Sequence, residues 1–321
     1  MRTITLGMTG LEVSRVAFGT WQLGGEWGSF DERAAIAAIR RARELGITLF
    51  DTAQAYGFGA SERLLGKALR PELTGDRESV VIATKGGIRP PERDASAAFL
   101  RQGVEHSLRH LGVDVIDIYQ VHWPDPDVPA EETAGALQEM VDEGKIRHVG
   151  VSNYDVAQME AFAAVRPVEV LQPPYHLLRR AIEEEILPFA RANDIGVLAY
   201  SPLASGLLTG RMDEGTTFET EDWRSQASAF TGEGLRRNLA VVRRLEELAG
   251  DLGVTLGQLA IAWVLAQPGV HVAIVGARST ANIEASAAAA DVDLDADALA
   301  RIEEIAADAE QIEGATPEGV L

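Results

Sequence analysis

The 321-residue chain contains no cysteine. Disulfides and thiolate metal sites are therefore excluded. Lysine is nearly absent as well. Lys67, Lys85 and Lys145 are the only three, and the rest of the 29 basic residues are arginine. The formal charge is −20. Such an excess of negative charge repels nucleic acid and anionic membranes, so neither is an expected partner. A lysine-poor, acidic composition fits a GC-rich genome or adaptation to high salt, and the sequence leaves both open. No run of about 18 apolar residues is present to span a bilayer. The opening MRTITLGMTG lacks the apolar stretch of a signal peptide, so the expected compartment is the cytoplasm. Oligomeric state is not legible.

What the chain does have is a core, since 46% of its residues are apolar, and a regular alternation of strands and helices. A short hairpin ends near Val13, and VAFG (16–19) reads as a strand. SFDE (29–32) is a capping box, Ser29 with Glu32, opening a helix to about Leu45. Strands are expected at 47–52, 79–85, 115–123, 146–152, 168–172, 195–200 and 270–275. Helices are expected at 61–70, 96–111, 130–143, 155–165, 182–193, about 235–252, 256–267, 280–289 and 295–309. Short apolar strands, each followed by a helix, indicate a parallel sheet buried on both faces. Eight such units predict an α/β fold, a (β/α)8 barrel forming a single domain over 1–321. The stretch 204–234, rich in Gly, Ser and Thr, is the main insertion, and a loop of that length is expected to be functional.

In this barrel type, active sites lie at the C-terminal ends of the strands. Those ends carry Gly19-Thr20-Trp21, Asp51, Lys85, His122, Ser152-Asn153, Gln172 and Tyr200-Ser201, with Tyr56 on the loop just after Asp51. Asp51, Tyr56, Lys85 and His122 form an acid–base set. A phenol is a poor proton donor at neutral pH, and a nearby ammonium favours the phenolate. A carboxylate can hold that ammonium charged, and a histidine can orient the substrate oxygen. The set suits protonation of an oxygen as a carbonyl becomes an alcohol. Singly, each residue has an ordinary structural explanation: a turn cap, a core histidine, a surface lysine. Four on one barrel face outweigh those readings.

The segments FDTAQAYGFGASERLLGKAL, IATK, DIYQVHWPD, GKIRHVGVSNY, LQPPYHLL and AYSPLASGLLTG occur in an order that resembles the aldo-keto reductase superfamily over nearly the whole chain. The likeness is to bacterial reductases related to potassium-channel β subunits in particular. It implies Tyr56 as general acid, Lys85 and Asp51 as its tuning pair, and His122 as substrate orienter. It also implies NADPH bound without a Rossmann fold. Gly57-Phe58-Gly59 precedes a helix, but Glu62 breaks the GxGxxG pattern.

By resemblance, Ser152, Asn153 and Gln172 meet the nicotinamide carboxamide, and Tyr200 stacks on its ring. Ser201, Leu203, Ser205 and Gly206 lie along the pyrophosphate. Thr20, Trp21 and Asp51 border the nicotinamide, and Trp21, Trp27 and Trp123 rim the substrate pocket around Tyr56 and His122. Gly276, Arg278 and Asn282 fall on the family's adenosine-phosphate grip, with Arg211 as a second cation. Ala285 and Ser286 depart from the Glu and Asn often found in the family, which implies fewer adenine contacts. His106 and His110 share a helix face without an evident third metal ligand, and no strand end shows His-x-His, so a metal-dependent hydrolase is disfavoured. Two function classes remain: a carbonyl reductase acting on a small-molecule substrate, and a nicotinamide-nucleotide sensor with little turnover.

Overall fold

A computed structural model describes residues 1–25, 30–89, 92–220 and 222–312. The chain opens with an antiparallel hairpin of β1 (Thr3–Thr5) and β2 (Glu12–Ser14). The strands β3 (Val16–Gly19), β4 (Leu49–Asp51) and β5 (Val81–Gly86) follow. A second small hairpin, β6 (Ile88–Arg89) with β7 (Glu92–Arg93), was not legible in the sequence. Next come β8 (Ile116–Val121), β9 (Ile146–Ser152), β10 (Val170–Gln172), β11 (Gly196–Ala199) and β12 (Val272–Gly276). β3, β4, β5 and β8 to β12 form one closed, all-parallel barrel, each pairing with the next in the chain and β12 returning to β3. The (β/α)8 architecture is therefore the one the alternation predicts.

The helices form the outer layer: α1 (Glu32–Glu44), α2 (Ala60–Ala68), α3 (Arg70–Thr74), α4 (Ala97–Leu111), α5 (Ala130–Asp142), α6 (Val156–Ala163), α7 (Ile186–Ala192), α8 (Gly232–Asp251), α9 (Leu256–Ala266), α10 (Thr280–Ala287) and α11 (Ala296–Ala306). Ser29 lies outside the described residues. The cap of α1 is Asp31, whose carboxylate accepts from the backbone N–H groups of Arg33 and Ala34. This position, rather than the expected box, satisfies the first turn's donors. The helix expected at 182–193 begins as a separate 3-10 turn (Ala181–Glu183), and α7 starts only at Ile186. Pro188 then falls in the first turn of α7, where its missing N–H is tolerated. The insertion 204–234 is not structureless: it contains 3-10 turns at Ala204–Thr209, Trp223–Ser225 and Ser228–Phe230. No single helix among the described residues is long and apolar enough to cross a membrane.

The barrel interior is layered. Leu49, Ala83, Ile118 and Val170 are sealed within it, and Leu6 and Val13 of the first hairpin pack with them as a plug at the N-terminal end. Side chains two residues apart on a strand share a face. The next residues on that inner face are Asp51, Lys85, Gln120 and Gln172, all polar and all buried. An apolar plug and apolar layer thus support a polar layer at the C-terminal mouth.

Candidate active site

Lys85 reaches across from β5 to β4. Its Nζ lies 2.6 Å from Asp51 Oδ1, 3.0 Å from the Thr52 carbonyl and 3.4 Å from Tyr56 Oη. Neither Lys85 nor Asp51 is open to solvent. Two charges out of water must be paired and hydrogen-bonded to be tolerated, and here they are. The other carboxylate oxygen, Asp51 Oδ2, accepts from Gln172 Nε2 at 2.9 Å and Gln120 Nε2 at 3.4 Å.

Tyr56 is placed by a turn that reverses the chain between β4 and α2. The backbone N–H of Gln54 donates to the Lys85 carbonyl, and that of Tyr56 to Ala53. Gly57, Phe58 and Gly59 then follow with φ of 59°, 49° and 85°. At Gly57 a side chain has no room, since a Cβ would stand 2.3 Å from the Gly24 carbonyl oxygen. This run of left-handed residues turns Tyr56 back over the barrel. Its ring is stacked on Trp21 at 6.4 Å and 28°, and meets the His122 imidazole edge-on at 5.7 Å. His122 is also buried. The four residues of the acid–base set therefore converge at one place.

Beside them opens a cavity of about 320 Å³. Trp21, Asp51, Tyr56, Gln172 and Tyr200 line its inner part. Ser201, Leu203, Ser205 and Gly206, from the loop after β11, line one side, and Gly276, Arg278 and Asn282 its far end. Tyr200 donates from its hydroxyl to Asn153 Oδ1 at 2.9 Å, which anchors the tip of the side chain. Ser201, Ala204, Ser205 and Gly206 have φ of 58°, 48°, 52° and 99°, a tight left-handed course that lays the loop along the cavity. The insertion braces this loop from behind: Arg224 Nη1 donates to the Ser205 carbonyl at 3.1 Å. Arg224 is itself held by Asp222 and stacks on Phe218 at 4.3 Å. Its hydrogen bond keeps the Asp222 carboxyl below the usual carboxylate range.

Some expected residues stand elsewhere. Thr20 is sealed from solvent and does not line the cavity; its hydroxyl accepts from Ser61 at 2.6 Å and donates to the Asp51 carbonyl. Ser152 is buried beside the cavity, and Asn153, which is half-buried, meets the cavity-lining Tyr200 through its side chain. Ser152 Oγ donates to the Gln172 carbonyl at 2.8 Å, and Asn153 Nδ2 to the His122 carbonyl at 3.1 Å. Arg211 is exposed beyond the lining, and Trp123 stacks under Arg93 at 4.8 Å. Trp27 lies outside the described residues. Ala285 is exposed and Ser286 buried, both away from the cavity. His110 binds the buried Glu62 through Nδ1 at 3.1 Å and faces Arg63 through Nε2, which occupies both ring nitrogens.

Two polar residues escaped the sequence reading. Gln120 was legible in principle, because it precedes His122 by two and so shares its face. Gln22 lines the cavity and donates to the Gly19 and Ala277 carbonyls at 3.1 and 3.3 Å. It stands on a 3-10 turn, where no periodicity marks it.

Comparison with known proteins gives the arrangement a context. The sequence model of the aldo/keto reductase family matches residues 15–307. Aldo-keto reductase YhdN of Bacillus subtilis (strain 168) is 45% identical over 291 residues, covering 89% of this chain and 87% of that protein. The NADH-specific methylglyoxal reductase of Escherichia coli (strain K12) is 35% identical, covering 90% of this chain and 93% of that one. Among solved structures, the glycerol dehydrogenase of Gluconobacter oxydans superposes with a TM-score of 0.89 at 37% identity, covering 98% of each chain. An aldo/keto reductase of Klebsiella pneumoniae in complex with NADP and acetate gives 0.74 at 31% identity, covering 98% of this chain and 97% of that one.

Proposed function

The chain belongs to the aldo/keto reductase family of oxidoreductases, and on that premise we propose that it reduces aldehydes or ketones to alcohols with NADPH. The observation that carries this reading is the buried Asp51–Lys85 pair with Tyr56 Oη 3.4 Å from the ammonium, at the edge of the cavity. Reduced nicotinamide, held by Tyr200, Gln172 and the Ser201–Gly206 loop, would supply the hydride. Every other requirement falls to the chain. Tyr56 gives the proton that the carbonyl oxygen takes as it becomes an alcohol. The positive charge of Lys85 stabilises the phenolate left behind, and Asp51 holds that charge in place where water is excluded. His122, edge-on to the Tyr56 ring, orients the carbonyl oxygen towards the phenol. Trp21 and Trp123 supply apolar surface at the rim.

The cavity suits the cofactor along its length. Tyr200 presents a ring anchored at its hydroxyl for stacking, Gln172 an amide for the carboxamide, and the Ser201–Gly206 loop a backbone wall for the pyrophosphate. Arg278 stands exposed at the far end beside the first turn of α10. A guanidinium there matches the 2′-phosphate that distinguishes NADPH from NADH. The test is the loss of reduced-nicotinamide absorbance on mixing with NADPH and a panel of aldehydes, ketones and sugars. Turnover of at least one carbonyl class supports the reading. Tight NADPH binding with no turnover of any carbonyl would replace it with a nucleotide sensor.

A further inference from the structure

Gln120 lies on β8 two residues before His122, wholly buried and outside the cavity lining. Its carboxamide nevertheless meets two side chains of the site. Gln120 Nε2 donates to Asp51 Oδ2 at 3.4 Å, and its Oε1 accepts from Gln172 Nε2 at 3.3 Å. Gln172 Nε2 also donates to Asp51 Oδ2, at 2.9 Å. A primary carboxamide has two N–H donors, so both donors of Gln172 point inward, one to each acceptor.

Neither amide can be turned over. A reversed Gln172 would set its oxygen against Asp51 Oδ2 and against Gln120 Oε1. A reversed Gln120 would set its oxygen against the same carboxylate and its N–H group against that of Gln172. The hydrogen-bond network therefore fixes both orientations. Gln172 lines the cavity, and with its N–H group turned inward it shows the cavity only its carbonyl oxygen.

We propose that Gln120 is a positioning residue that locks Gln172 with its carbonyl towards the cofactor, so that the site accepts only a ring substituent carrying an N–H donor. The proposal rests on the nicotinamide reading given above. Nicotinamide's carboxamide has such a donor. Without Gln120 Oε1, one buried N–H of Gln172 loses its acceptor and only Asp51 Oδ2 still holds the amide, which can then swing about that single contact and carry its carbonyl off the cavity wall. The selectivity is then lost although Gln172 itself remains.

The test is a fluorescence titration of NADP+ and of its 3-acetylpyridine analogue, in which a methyl ketone replaces the carboxamide and the N–H donor is gone. Each ligand is titrated into the wild-type protein and into Gln120→Met, which keeps the length of the side chain and removes its hydrogen bonds. A buried acceptor left unpaired costs the analogue affinity, so the wild type is expected to prefer NADP+ by about ten- to a hundredfold. In Gln120→Met that ratio falls towards unity. A merely structural role for Gln120 would weaken both ligands alike and keep the ratio, which would overturn the proposal. Equal affinity of the wild type for the two ligands would overturn it without any variant, while leaving the cofactor reading standing. Binding of neither ligand would remove the cofactor reading and the proposal with it. Gln172→Met, in which Gln120 is retained, should give the same collapsed ratio, and a preserved ratio there would again overturn the proposal.

Discussion

Lys85 and Asp51 form an ion pair 2.6 Å long, and both side chains are sealed inside the barrel mouth. Removing one partner leaves the other as an uncompensated buried charge, at a cost of about 3–5 kcal/mol. Lys85→Met and Asp51→Asn should each destabilise the protein by an amount of that order. The double variant should be more stable than the sum of the two losses implies, because no lone charge is left. Urea unfolding without cofactor measures this. Strictly additive losses would mean that the two charges do not support each other.

Arg278 is the residue proposed to set cofactor choice. The adenosine 2′-phosphate adds nearly two negative charges, which a protein of formal charge −20 repels at long range, so a local cation has to offset the repulsion. A charged hydrogen bond of this kind contributes roughly 1.5–3 kcal/mol, about ten- to a hundredfold in affinity. Arg278→Ala is expected to weaken NADPH binding by about that factor and to change NADH binding little. Equal losses for both cofactors in a fluorescence titration would show that Arg278 does not read the 2′-phosphate.

Arg224 acts at the same cavity but through the chain. It holds the Ser205 carbonyl at 3.1 Å and is itself held by Asp222. Its loss should loosen the loop along the cavity without reaching the position proposed for the 2′-phosphate. Arg224→Ala is therefore expected to weaken NADPH and NADH binding by similar factors, and to speed amide hydrogen exchange over 201–210. A selective loss of NADPH would instead make Arg224 a direct phosphate contact.

Acidification should destabilise the fold before its carboxylates titrate. Burial, and then the charge of Arg179, push the His176 imidazole down to about 3. The unfolded chain takes up that proton near pH 6.5, whereas the folded chain does not. Stability therefore falls as pH drops below about 6.5, with a limiting slope of about 1.4 kcal/mol per pH unit. His271 is lowered in the same direction, by burial and then by Arg15. Urea unfolding at pH 7 and pH 5 should show the loss, and His176→Gln should reduce it. An unchanged slope in that variant would exclude His176 as its source.

The barrel was legible because its signals are periodic. Apolar strands such as VVIATK and IDIYQV, spaced by amphipathic helices, allow few other folds, and the polar residues at the C-terminal ends of those strands put the acid–base set at the mouth. Less was legible where placement depends on distant partners. Thr20 sits at a strand end like Asp51, yet Ser61 and the Asp51 carbonyl draw its hydroxyl inward. The hydrogen bonds that hold Asn153 and Ser152 to His122, Tyr200 and Gln172 likewise join residues from different strands and could not be read locally. The role of the insertion was signalled by its length alone. Arg224 and Ser205 are 19 residues apart, and nothing local links them.

Tyr56→Phe tests the central claim most directly. The substitution keeps the ring that stacks on Trp21 and removes only the proton that the carbonyl oxygen is to receive. General acid catalysis contributes about 10²–10⁴-fold. Steady-state reduction of a fixed aldehyde that the wild type turns over should fall by a factor in that range, while the NADPH dissociation constant stays nearly unchanged. Near-wild-type turnover in Tyr56→Phe, with NADPH still bound, would contradict the assignment of Tyr56 as the proton donor.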